Sequence, residues 1–133
     1  MVQEKRLREG IVYNQPVGEL EVGESIFTAT KREVKEETGY DIDLVKYLGT
    51  YVWLLENGRT SIRMCFVGKV IGGSLQKESW DDDELIVPKW FNRDELEVLS
   101  HRFRNPVTHK CLEDYYAGKS YPLSVVTHIN EAI

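Results

Sequence analysis

The sequence predicts an α+β fold of the layered α/β/α kind, and three observations predict it. Residues 42–55 ("IDLVKYLGTYVWLL") and 60–71 ("TSIRMCFVGKVI") are rich in β-branched and aromatic residues and flank Asn57-Gly58, the strongest short hairpin signal. Residues 25–38 carry apolar side chains at helical spacing and end at Gly39, a helix stop. Two more runs with helix-opening signals follow residue 92. With 133 residues, 41% of them apolar, and no internal repeat, the expectation is a single domain over residues 1–133 with one core.

In chain order, "MVQEKRLREGIVYNQPV" leaves room for one short strand and a loop before Gly18. The helix over Ser25–Thr38 follows, then the antiparallel hairpin. After the loop "GGSLQKESWDDDE" comes a short strand in "LIVPKWF", where Pro88 points to an edge or a bulge. "NRDELEVL" opens at Asn92 with acids in its first turn. "NPVTHKCLEDYYAG" has Asn105 as cap, Pro106 at the first helical position and Gly118 just past the end.

Composition narrows the function. The stretches "YVWLL" and "CFVGKVIGG" fall far short of the roughly 20 apolar residues of a membrane span, and "MVQEKRLREG" has no signal-peptide core. The expectation is a soluble cytoplasmic protein with no membrane partner. A net charge of −5 argues against nucleic acid as partner, since a basic face would be needed to displace phosphate counterions. An anionic ligand would therefore need positive charge from another source. Cys65 and Cys111 have neither a disulfide framework nor zinc-site spacing and read as buried thiols; His101, His109 and His128 are scattered and receive no role.

The most informative stretch is "REVKEETG", Arg32–Gly39. At about 100° per residue, Glu36 lies about 60° to one side of Glu33 and Glu37 about 40° to the other, so the three carboxylates share one face. Phe27, Thr30 and Val34 fall on an adjacent arc that can be buried. Carboxylates in the last turn of a helix are disfavoured by the macrodipole, by about 0.3–1 kcal/mol each. A divalent cation reverses that cost, and hard oxygen ligands at this density suit Mg²⁺ or Mn²⁺. The preceding loop "NQPVGELEVGES" holds Gly18 and Gly23, which let backbone groups approach a ligand closely.

Together, Gly18, five residues, Glu24, seven residues and then Arg32-Glu33-Val34-Lys35-Glu36-Glu37-Thr38-Gly39-Tyr40 resemble the Nudix box, G-x5-E-x7-R-E-U-x-E-E-x-G-U. Every fixed letter is present; Tyr40 stands at the final aliphatic position, and Val17 where many members have glycine. "YNQPVGELEVGES" and "FRNPVTHKCLEDYYAGKSYPL" resemble the phosphatase NudJ subgroup of that MutT-like family. The resemblance implies a mixed β-sheet between helices and hydrolysis of a nucleoside tri- or diphosphate, or of a thiamin-pyrimidine diphosphate, by water attack at phosphorus. Within the same fold, other nucleoside-diphosphate derivatives (a sugar nucleotide, a dinucleotide polyphosphate) or a non-catalytic nucleotide sensor are the alternatives.

By position, the resemblance implies that Glu33, Glu36 and Glu37 ligate the metal, with a backbone carbonyl near Val17 or Gly18 as a further ligand. Arg32 corresponds to the arginine that orients a glutamate, and Glu24 to the glutamate that supports loop and helix. The general base is either a box glutamate or an acid of "WDDDE", where Glu84 is preferred over Asp81, Asp82 and Asp83. Tyr13, Trp53 and Trp80 are candidates for stacking on a base or pyrimidine ring.

In that family the box usually follows two strands, so the short N-terminal segment implies that one strand is missing and that the chain begins upstream of the given Met1. The neighbour of a missing strand would keep unpaired backbone groups, so the expectation is either a chain less stable than one extended by about 15 residues or a homodimer through that edge.

Overall fold

The computed structural model describes residues 1–75 and 86–130. The first strand, β1 (Val2–Arg6), pairs antiparallel with β2 (Gly10–Asn14), Val2 opposite Asn14 and Arg6 opposite Gly10. Gly10, at φ 74°, supplies the left-handed backbone that the connecting turn requires. The segment before Gly18 thus forms two strands, where the sequence predicts one and a loop, and the strand count is corrected accordingly. The cause is visible in the inward positions: Val2 and Val12 alternate there with Glu4 and Asn14, all buried. Polar residues at every second inward site hide the alternation that marks a strand.

Helix α1 (Ile26–Thr38) is capped by Ser25, whose side chain accepts the Thr28 N–H at 3.1 Å, and stops at Gly39 with φ 84°. It leads into β3 (Tyr40–Leu54), antiparallel to β4 (Thr60–Gly73). Their turn closes through Leu55 N–H to the Arg59 carbonyl at 2.8 Å, with Gly58 at φ 82°. Three register shifts interrupt the ladder, after Asp41, Leu44 and Tyr47, and the last lets Tyr47, Leu48 and Gly49 be buried in succession.

Strand β5 (Ile86–Pro88) lies on the other side of β1, giving the order β2-β1-β5, so Pro88 does sit in an edge strand. The strand is shorter than "LIVPKWF" suggests. The ladders among the described residues are antiparallel; the parallel component is an isolated bridge between Tyr13 and Phe103. Helix α2 (Arg93–Leu99) opens with a reciprocal capping box between Asn92 and Glu95, and α3 (Pro106–Tyr116) opens on Asn105.

Helix α1 packs on β3 and β5, and α3 packs on β3. Leu48 from the bulged part of β3 meets Val107 and Cys111 of α3, with Tyr51, Trp53, Cys65 and Val67 against them. No described helix is long and apolar enough to cross a membrane.

Candidate active site

Arg32, between α1 and the loop over 19–24, organises the glutamates around it. Its Nε and Nη2 donate to the two carboxylate oxygens of Glu24 at 2.9 and 3.0 Å, a bidentate fork. Nη1 donates to Glu33 Oε1 at 2.8 Å and reaches Glu36 at 3.3 Å, while Nη2 also donates to the Glu19 carbonyl at 3.0 Å. The fork holds the Glu24 carboxyl below its usual range and raises the Arg32 guanidinium further above its own. Through this one side chain the loop over 19–24 is bound to the helix.

The loop also touches the helix directly. A Cβ added at Gly18 would overlap the Glu33 carboxylate, so glycine here leaves that carboxylate free to take its present position. Next to it, Val17 N–H donates to Glu37 Oε2 at 3.0 Å. Burial pushes the Glu37 carboxyl up to about 7; the Val17 bond opposes this, the charges of Glu33 and Glu4 add to it, and Arg104 offsets part of it. Glu37 is thus a carboxylate short of positive charge in a partly dry setting.

The predicted metal-binding residues are therefore neighbours: Val17 with Glu37, Gly18 with Glu33, and Glu36 with Arg32. Among the described residues no three Asp, Glu, His or Cys side chains converge as a ready-made cluster. Like-charged carboxylates repel, and here each has taken its nearest donor. As oxygen donors around one loop and one helix face, Glu33, Glu36 and Glu37 suit a hard divalent cation.

Of these residues Val17, Gly18 and Glu33 line a cleft of about 1260 Å³, walled also by Trp53, Arg63, Trp90 and Arg104. Trp53 lines this cleft and also packs against the core cluster of Leu48, Val107 and Cys111. Tyr13 does not take its predicted place at the substrate: it packs edge-on against Phe91 at 5.6 Å, its carbonyl accepts the Arg104 N–H at 2.9 Å, and it is absent from the cleft wall. Trp80, Glu84 and Asp81–Asp83 lie outside the described residues.

Sequence reasoning missed the cationic part of this wall. Arg63 of β4 donates from Nη1 to Asn14 Oδ1 at 3.3 Å and to Gln15 Oε1 at 3.4 Å. Arg104, just before α3, and Arg6 of β1 both bond the buried Glu4 carboxylate, at 3.2 Å each. A signal was available, since Arg63 has the same strand parity as Cys65 and Val67, which face the core. The histidines serve structure instead: His128 Nε2 accepts the Ile26 N–H at 3.1 Å at the start of α1, and its ring packs on Phe27 at 4.9 Å.

Residues 1–112 match the family described as NUDIX domain. The chain is 37% identical over 89 residues to "Putative nudix hydrolase 1" of Caenorhabditis elegans, which covers 67% of this chain and 23% of that protein's length. It is 24% identical over 130 residues to Phosphatase NudJ of Escherichia coli K12, covering 98% of this chain and 83% of NudJ. A solved NUDIX hydrolase from Nitrosomonas europaea superposes with a TM-score of 0.77 at 38% identity, over 96% of this chain and 87% of that one. A UDP-X diphosphatase structure, with a TM-score of 0.62 at 22% identity over 88% of this chain and 56% of its own, shares the fold.

Proposed function

The chain belongs to the Nudix hydrolase family, and from that premise we propose that it is a Mg²⁺- or Mn²⁺-dependent pyrophosphohydrolase, acting as one domain on a small nucleoside tri- or diphosphate or a pyrimidine diphosphate. The observation that carries the reading is the assembled box: Gly18 against Glu33, Val17 against Glu37, and Arg32 joining Glu24, Glu33 and Glu36. Two cysteines, both free thiols, fit a cytoplasmic setting.

The residues fit a divalent cation, because the Glu37 carboxyl, raised by burial and by Glu33, is a group that a cation would relieve. Glu33, Glu36 and Glu37, with a carbonyl at Val17 or Gly18, would hold it. When bound, such an ion neutralises phosphate oxygens and acidifies water. The remaining work belongs to the chain. Arg32 fixes Glu33 by its Oε1, while Oε2 makes no hydrogen bond to any described residue and is the atom we assign to receive the proton of the attacking water. Glu24 keeps Arg32 in place through the fork, so it positions without touching substrate. Trp53 offers a ring face for the base.

The test is phosphate release from a panel of nucleoside tri- and diphosphates, sugar nucleotides and dinucleoside polyphosphates, with Mg²⁺ and with a chelator. Metal-dependent turnover of the first group is expected. Full turnover in excess chelator, or none on any anhydride, overturns the reading.

A further inference from the structure

The cleft wall away from the box holds more positive charge than the fold itself uses. Arg6 and Arg104 share one buried carboxylate, Glu4, and Arg63 joins them through Asn14, so three guanidinium groups stand around one hydrogen-bonded carboxylate among the described residues. Arg63 has no carboxylate in ion-pair contact among those residues. Its Nη1 is engaged by the neutral side chains of Asn14 and Gln15, while Nε and Nη2, an edge that can form a fork, make no hydrogen bond to any described residue. Glu4, Arg6, Asn14 and Arg104 already bond one another, so the set is built and held rigid.

Charge withdrawn from water without a partner is costly, and a guanidinium edge left open on a ligand-sized cleft is explained by an anionic ligand. The box is close by. Gln15, which holds Arg63, is two residues from Val17, which holds Glu37; two residues of chain span at most about 7 Å. A phosphate chain with one anhydride at the glutamates therefore brings its next phosphate to the arginines. The open edge of Arg63 selects among phosphates: a free terminal phosphate presents three unesterified oxygens and about two negative charges to such a fork, and an internal diester two oxygens and about one charge.

We propose that Arg63, with Arg104 and Arg6 beside it, seats the free terminal phosphate of the substrate, making nucleoside triphosphates, and not capped dinucleotides or sugar nucleotides, the preferred class. This rests on the hydrolase reading above and narrows it. Arg63 is then a specificity-determining residue. Its planar fork matters as well as its charge, so lysine replaces it only in part.

The experiment compares wild type, Arg63→Gln and Arg63→Lys, each with its thermal melt recorded, in two measurements. The first is kcat/KM on a nucleoside triphosphate and on a nucleoside-diphosphate sugar. Arg63→Gln is expected to lose at least tenfold more on the triphosphate than on the capped substrate, with Arg63→Lys between. The second is calorimetric titration with methylenediphosphonate under excess chelator, which reads the arginine wall apart from the metal and from turnover. Binding at least tenfold weaker in Arg63→Gln is expected. Equal losses on both substrates, a wild-type preference for the capped one, or unchanged diphosphonate binding overturns the proposal and leaves the hydrolase reading standing. Absence of wild-type turnover on any anhydride overturns the hydrolase reading, and the titration then decides the arginine wall alone.

Discussion

At the scale of single residues, the site depends on close approach. Gly18 has ordinary backbone angles open to any residue; what it lacks is room, because a methyl group there would meet the Glu33 carboxylate. Gly18→Ala is therefore expected to displace a carboxylate while leaving the helix intact. Turnover should fall by about tenfold or more, since small misplacements of reacting groups are expensive. Steady-state kinetics together with circular dichroism checks this: an unchanged spectrum with wild-type kcat would mean that Glu33 has no need of its present position. The contacts between loop and helix in this candidate site were legible beforehand. The box fixes which loop faces which helix, and Gly18, Glu24, Arg32, Glu33 and Glu37 meet as their spacing implies.

Among elements, the caps were readable and the interruptions were not. Ser25, Asn92 and Asn105 each cap the helix they were expected to open. The ends of β3 and β4 fall within two residues of the runs that announced them. What alternation could not disclose was the bulge that buries Tyr47, Leu48 and Gly49 in a row, or the pairing of β1 with β2 through buried Glu4 and Asn14. Both depend on partners distant in sequence, which local periodicity does not encode. The capping box of α2 lies away from the cleft wall, which makes it a control. Asn92→Ala should cost about 1–2 kcal/mol of stability, seen as a lower thermal midpoint, with kcat and KM unchanged. Altered kinetics would show that α2 is coupled to the site.

Across the whole molecule, charge and connectivity set the behaviour. The Glu37 carboxyl is raised from its ordinary 4.5 to about 7, so the folded state binds its proton more tightly than the unfolded chain does. Its favourable contribution to stability is complete below about 4.5 and lost as pH rises through about 7. The metal-free protein should therefore lose stability over that window, and Mg²⁺ should raise the thermal midpoint more at pH 8 than at pH 5. Glu37→Gln should remove most of the difference; equal metal effects at both pH values would place the cation elsewhere. The arginine wall belongs to this scale too, since it assembles from β1, β4 and the start of α3 and no one stretch of sequence announces it. A final consequence concerns how the fold comes apart. The described strands form two separate ladders, β2-β1-β5 and β3-β4, with no backbone hydrogen bonds pairing one to the other. Between them stands Asn14, fully buried, which accepts from Thr108 Oγ1 at 2.7 Å and from Arg63 at 3.3 Å and donates to Glu4 at 3.4 Å. Cooperativity between the two halves thus passes through side chains. In amide hydrogen exchange, Asn14→Ala should split one global opening into two, the amides of β1 and β2 exchanging ahead of those of β3 and β4; a single shared opening rate in that variant would show that packing alone couples the halves.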